Sequence, residues 1–249
     1  MLRATALTKS FGSLAVTAGV DLALPAGERH GLIGPNGAGK TTLFNLLSGE
    51  LRPDSGQVLL DGVDVTHAPS DVRARAGLGR SFQRNNLFPD LTVRENLVIG
   101  VAIERGVTRV WWRGLHRDRA VVADAERQAA ALGLGEELDT PVRHLSYGTQ
   151  RQLEIGLALV RRPKVLLLDE PTSGMSPEET HAMLALIRGL PSALTLLIIE
   201  HDMDVIFEVA DRITVLDYGR VLLEGTPEQV RASAEVRDRY LGLDEGLTP

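Results

Sequence analysis

Residues Gly34-Pro35-Asn36-Gly37-Ala38-Gly39-Lys40-Thr41 fit the pattern G-x-x-x-x-G-K-[ST], in which a glycine-rich turn wraps backbone N–H groups around an oxyanion at the positive end of a helix. Asn36, Gly37, Ala38 and Gly39, with Thr42 behind them, form this cradle. Lys40 reaches the β- and γ-phosphates of a nucleotide, and the Thr41 hydroxyl suits Mg²⁺. A second pair, Asp169-Glu170, follows the apolar run Val165-Leu166-Leu167-Leu168, which places both carboxylates at the carboxyl end of a strand, where open α/β sheets bind ligands. Asp169 suits the Mg²⁺ shell. Glu170, one residue farther on, is aimed at a water in line with the γ-phosphate, as base or orienter. Such a pair on its own is more often a helix cap or a solvated turn. With the loop at Gly34 it becomes the second half of a triphosphate-hydrolysing site.

Both motifs need strands in front of them. The loop follows Arg29 to Ile33, and the first third of the chain alternates short apolar segments with turns: Val20 to Leu24, Pro25-Ala26-Gly27, then Gln57 to Leu60 after Pro53-Asp54-Ser55-Gly56. From about Asp90 to Val160 the spacing turns helical, with long segments over Leu91 to Glu104 and Arg117 to Leu132. The runs Val165 to Leu168 and Leu194 to Ile199 are apolar at every position, as central strands of a parallel sheet covered on both faces must be. Ser176-Pro177-Glu178-Glu179 and Thr226-Pro227-Glu228-Gln229 each combine a capping residue, Pro at the first helical position and Glu or Gln at the third. The expectation is an α/β core with a helical insertion.

Composition narrows the class. The 249 residues carry 27 Lys and Arg against 33 Asp and Glu, a net charge of −6, which argues against a broad nucleic-acid footprint. No Cys is present, excluding disulfides, thiolate metal sites and a Cys nucleophile. No apolar run approaches the roughly 18 residues of a membrane span, and the start MLRATALTKS reads as no secretory signal. Glycine is abundant, at 25 residues, and predicts many tight turns or phosphate loops.

His144-Leu145-Ser146-Tyr147-Gly148-Thr149-Gln150-Arg151-Gln152 precedes the run Leu153 to Val160. A Ser hydroxyl and Gly amides at a helix N-terminus make a further anion site, although capping alone would also select Ser146. This segment resembles the signature of ATP-binding-cassette (ABC) ATPases in a Leu-Ser-Tyr-Gly variant. Further residues match the family in order: Phe11 the aromatic that stacks on adenine, Gln83 the glutamine that reaches Mg²⁺ and the attacking water, and His201 the histidine that contacts the γ-phosphate. The chain departs from the commonest pattern at Tyr147-Gly148-Thr149, where Gly-Gly-Gln is usual, and at Ser173-Gly174-Met175-Ser176, which ends without Asp.

The resemblance covers Leu2 to about Leu243. It implies one domain over 1–243 and a tail at 244–249, with an α/β P-loop NTPase (RecA-like) core. The core and an N-terminal antiparallel β subdomain take 1–83 and 161–243, and a helical ABC subdomain about 84–160. It further implies a Mg²⁺-dependent ATPase in which Ser146 and Gly148 close on the ATP held by a second, identical or paralogous, subunit.

Gly77-Leu78-Gly79-Arg80-Ser81-Phe82-Gln83, Asn86-Leu87-Phe88-Pro89, the Tyr147 signature, Glu200-His201-Asp202-Met203-Asp204-Val205 and Glu224-Gly225-Thr226-Pro227 are similar to the ATPases of branched-chain amino acid importers. The implied partners are transmembrane permease subunits and a periplasmic or extracellular solute-binding protein, with the chain peripheral on the cytoplasmic face of the membrane. Arg84 to Asn96 is the implied link to the permease. A soluble ABC ATPase acting on a macromolecule is the alternative. Two readings stay open for Val101 to Arg119, which carries five Arg around Trp111-Trp112: packing on the helical subdomain with solvated arginines, or contact with lipid headgroups or the permease.

Overall fold

The computed structural model describes residues 1–81, 87–107 and 118–237. The segment around Gln83 and the Trp111-Trp112 pair lie outside the described residues. Two compact units divide the chain. Met1–Leu78, Lys164–Pro171 and the chain from Pro191 form the first; Gly79–Pro163 and Thr172–Leu190 form the second.

In the first unit β1 (Leu2–Phe11) pairs antiparallel with β2 (Leu14–Leu24) and with β4 (Ser55–Leu60), and β5 (Val63–Asp64) completes the order β2-β1-β4-β5. Alternate residues Leu2 and Ala4, Val20, Leu22 and Leu24, and Val58 and Leu60 are buried, the period of two that a one-faced sheet needs. The second sheet contains β3 (Arg29–Ile33), β6 (Leu78–Arg80), β7 (Val165–Asp169), β8 (Thr195–Ile199), β9 (Arg212–Asp217) and β10 (Arg220–Gly225) in the order β10-β9-β3-β8-β7-β6. Strands β9, β3, β8 and β7 run parallel. All five residues of β7 and of β8 are buried, so the continuous apolar runs are central strands.

Helix α1 (Lys40–Ser48) buries Leu43, Phe44, Leu46 and Leu47 in a cluster shared by both sheets. Its carboxyl end meets Arg73 of α2 (Ser70–Arg75). That guanidinium is 1% exposed and donates to the carbonyls of Leu46 and Leu47 at 2.7 Å each, Thr66 at 2.9 Å and Ala68 at 3.0 Å. A cation there complements the negative end of the helix while satisfying its last carbonyls.

The second unit contains α3 (Val93–Glu104), α4 (Arg119–Ala131), α5 (Tyr147–Val160) and α6 (Pro177–Gly189). Val93, Leu97, Val101, Val121, Ala125, Ala129 and Leu153 share its core. The first two helices begin two residues later than apolar spacing alone predicts, because Thr92 and Asp118 are N-caps; Thr92 forms a capping box with Glu95. Capping boxes also open α6, at Ser176 and Glu179, and the helix Pro227–Ala232, at Thr226 and Gln229.

Candidate functional site

Parallel pairing sets the site. In register, Leu32 of β3 and Asp169 of β7 both stand opposite Ile199 of the intervening β8. The carboxyl ends of three adjacent strands therefore present the loop from Gly34, the pair Asp169-Glu170 and His201 along one edge of the sheet.

Two glycines of the loop leave no room for a Cβ. Gly34 has φ 155° and a Cβ there would lie 2.3 Å from the carbonyl oxygen of Leu216; Gly39 has φ 100° and its Cβ would lie 2.5 Å from the carbonyl oxygen of Val16. Gly219 braces the same loop from the β9–β10 turn. Its N–H donates to the carbonyl of Ala38 at 3.0 Å, and its own carbonyl accepts from the amide of Ala18 at 2.8 Å. That contact joins residues 181 positions apart, so no local pattern announces it.

Helix α1 starts directly from Gly39 with no side-chain cap and no acidic residue in its first turn. Its leading N–H groups are left to an outside acceptor, in contrast to the boxed helices at Thr92, Ser176 and Thr226. Asn36, Gly37 and Thr41 are exposed, Thr42 is half-buried, and Ala38 is buried. Lys40 folds over the loop, where Nζ donates to the carbonyls of Gly34 and Pro35. Burial draws its ammonium below its ordinary pKa, and the charges of Glu170 and Asp169 pull it partly back up. Lysine and both carboxylates thus share one field.

Asp169 is 4% exposed, while Glu170 is half-buried and held at φ 45°, a left-handed conformation that a non-glycine residue rarely adopts. His201 is largely exposed, with Nδ1 3.7 Å from Oε2 of the fully buried Glu200. Phe11 is exposed at the β1–β2 turn, opposite Leu14 in a hairpin whose Val16 borders Gly39. Lys9 Nζ lies 5.8 Å from its ring centre. Gln83 lies outside the described residues.

One hydroxyl, Thr41, and one carboxylate, Asp169, make a hard oxygen donor set of the kind Mg²⁺ shares with phosphates and water. Among the described residues no group of three or more His, Asp or Glu could form an all-protein cage.

Ser146 and Gly148 belong to the second unit. Ser146 caps α5, its Oγ accepting from the amide of Thr149 at 3.3 Å. Sequence reasoning missed a third member, Glu179. Its Oε1 accepts from Ser146 Oγ at 2.6 Å and from the Gly148 amide at 2.9 Å. The signal was present in Ser-Pro-Glu-Glu, which is legible only as a helix start.

A model of the family described as "ABC transporter" matches residues 17–173. The chain is 38% identical to the high-affinity branched-chain amino acid transport ATP-binding protein BraF of Pseudomonas aeruginosa and 39% identical to LivG, of the same description, from Escherichia coli K12; each match covers 97% of this chain and 98% of the relative. Among solved structures, the ADP conformation of an ATP-binding cassette of an ABC transporter superposes with a TM-score of 0.84 at 30% identity, covering 97% of this chain and 98% of that one.

Proposed function

Because this chain belongs to the ABC transporter ATP-binding family, we propose that it is the cassette that powers import of branched-chain amino acids or similar small solutes by hydrolysing ATP between two such subunits. The substrate class is supported by near full-length similarity to BraF and LivG. Among the described residues no helix is long and apolar enough to cross a membrane. Attachment to transmembrane permeases at the cytoplasmic face, with a solute-binding protein on the other side, completes the transporter.

In this reading Phe11 stacks on adenine. The N–H groups of Asn36, Gly37, Ala38, Gly39 and the start of α1, through Thr42, hold the phosphate oxygens, and Lys40 neutralises the β- and γ-phosphates. Thr41, Asp169 and Gln83 hold Mg²⁺, which when bound offsets phosphate charge. Glu170 takes a proton from a water whose oxygen bonds to the γ-phosphorus as the bond to the β–γ bridging oxygen breaks, leaving ADP and inorganic phosphate. Gln83 orients that water and His201 contacts the γ-phosphate. Ser146 and Gly148 of the facing subunit complete the enclosure, so closure needs the terminal phosphate and hydrolysis releases it.

The observation that carries the proposal is the convergence of the loop from Gly34 and the pair Asp169-Glu170 on one edge of the sheet, beside an uncapped helix start. Its test is co-purification with two hydrophobic permease subunits, followed by reconstitution. ATPase activity stimulated by a binding protein loaded with leucine, isoleucine or valine is expected. Activity indifferent to permease and solute would contradict the transport role.

A further inference from the structure

The N-terminus of α5 already holds an anion, and it comes from another helix. Glu179 Oε1 accepts both from the Ser146 hydroxyl and from the Gly148 amide. Its other oxygen, Oε2, accepts from the Ser176 amide at 3.1 Å as the return half of the α6 capping box. The fit is close: a Cβ on Gly148 would lie 2.9 Å from Cβ, Cγ and Cδ of Glu179. These bonds, the one from Ser146 foremost and then those from the Ser176 and Gly148 amides, hold the Glu179 carboxyl below its ordinary pKa, so it is charged at neutral pH. Ser146 is exposed and Glu179 is half-buried, which leaves the carboxylate at the surface.

We propose that Glu179 is an internal substitute for phosphate, filling the anion site of Ser146 and Gly148 in the separated subunit and withdrawing when the γ-phosphate of a facing subunit's ATP takes its place. The inference rests on the role given above to Ser146 and Gly148. One hydroxyl and one amide at the start of a 14-residue helix cannot serve two anions at once, and two negative groups on one site repel. Displacement therefore sets an ATP threshold for closure. ADP, with no terminal phosphate to insert, leaves Glu179 where it is. The exchange needs only a side-chain rotation, because the bond from Ser176 to Oε2 can anchor the carboxylate while Oε1 lets go. Glu179 is on this account a gating residue that selects triphosphate over diphosphate.

The test uses the full chain with Glu170→Gln, which slows hydrolysis, and measures by light scattering the Mg-ATP concentration giving half-maximal dimer. Glu179→Gln keeps a capping-box residue while removing the charge; Glu179→Ala removes the competitor altogether. The half-maximal concentration should fall at least about tenfold in Glu179→Ala, the weight of one of the two charge-assisted hydrogen bonds removed, and by a smaller factor in Glu179→Gln. Damage to the helix cap alone would move it upward. An unchanged or raised concentration in both variants overturns the inference while leaving the shared site standing. If the chain with Glu179 intact never dimerises at any ATP concentration, the shared site itself is wrong and the inference falls with it.

Discussion

The amide of Glu170 donates to the carbonyl of Ile199 at 2.9 Å, extending the β7–β8 ladder one residue beyond Asp169. The residue assigned as base is therefore fixed by its backbone, in a left-handed conformation, and its carboxylate is left for chemistry. Glu170→Gln keeps that bond and the side-chain shape. Turnover should fall roughly 10²–10⁴-fold, the weight of a general base, with nucleotide affinity and thermal midpoint unchanged. Steady-state phosphate release and a melting curve check this; near-normal turnover would remove Glu170 from the role.

Lys40 is a cation held below its ordinary pKa by burial. Replacing it with Met, of similar length, removes the desolvated charge and the phosphate contact together. Lys40→Met should weaken ATP binding about 10- to 100-fold, as loss of a charge-assisted hydrogen bond does, while the nucleotide-free thermal midpoint holds or rises. Equilibrium binding of a fluorescent ATP analogue and calorimetry separate the two effects. A large fall in the midpoint would make Lys40 structural.

Arg73 illustrates the opposite case. Burial pushes its guanidinium down to about 10, yet it stays charged at neutral pH with four carbonyls around it. Arg73→Met should cost about 3–5 kcal/mol in urea unfolding by leaving those acceptors unpaired. Arg73→Lys should recover little, because one ammonium cannot span the same carbonyls.

Asp64 gives the acid response a specific source. Its carboxylate accepts from the Thr66 hydroxyl, Gln57 and the Thr66 amide, which hold its pKa at about 2 against an ordinary 3.8. A depressed carboxylate pKa means that the unfolded chain binds the proton more readily, so this contribution is complete above pH 3.8 and lost as pH falls through about 2. Urea midpoints measured from pH 4 to 2 should decline less steeply in Asp64→Asn than in the parent chain.

Local signals made much of this legible. The phosphate loop, the apolar runs of β7 and β8, and the helix starts at Ser176 and Thr226 are short-range patterns whose physics needs no distant partner. What stayed hidden is tertiary. Glu179 reads as a capping-box glutamate, and Oε2 is one; nothing within four residues says that Oε1 reaches a serine 33 positions earlier. Arg73 carries no local signal, and its role follows only once the end of α1 is placed against it. The bond from Gly219 to Ala38 follows only from the strand order.

The most direct measurement is the mass in solution of the Glu170→Gln chain, alone or mixed with its partner cassette, at saturating Mg-ATP and then at saturating Mg-ADP. A pair of cassettes with ATP, returning to a 27.0 kDa species with ADP, is the outcome expected if Ser146 and Gly148 of one subunit close on the triphosphate of the other. A 27.0 kDa species under both nucleotides would contradict it.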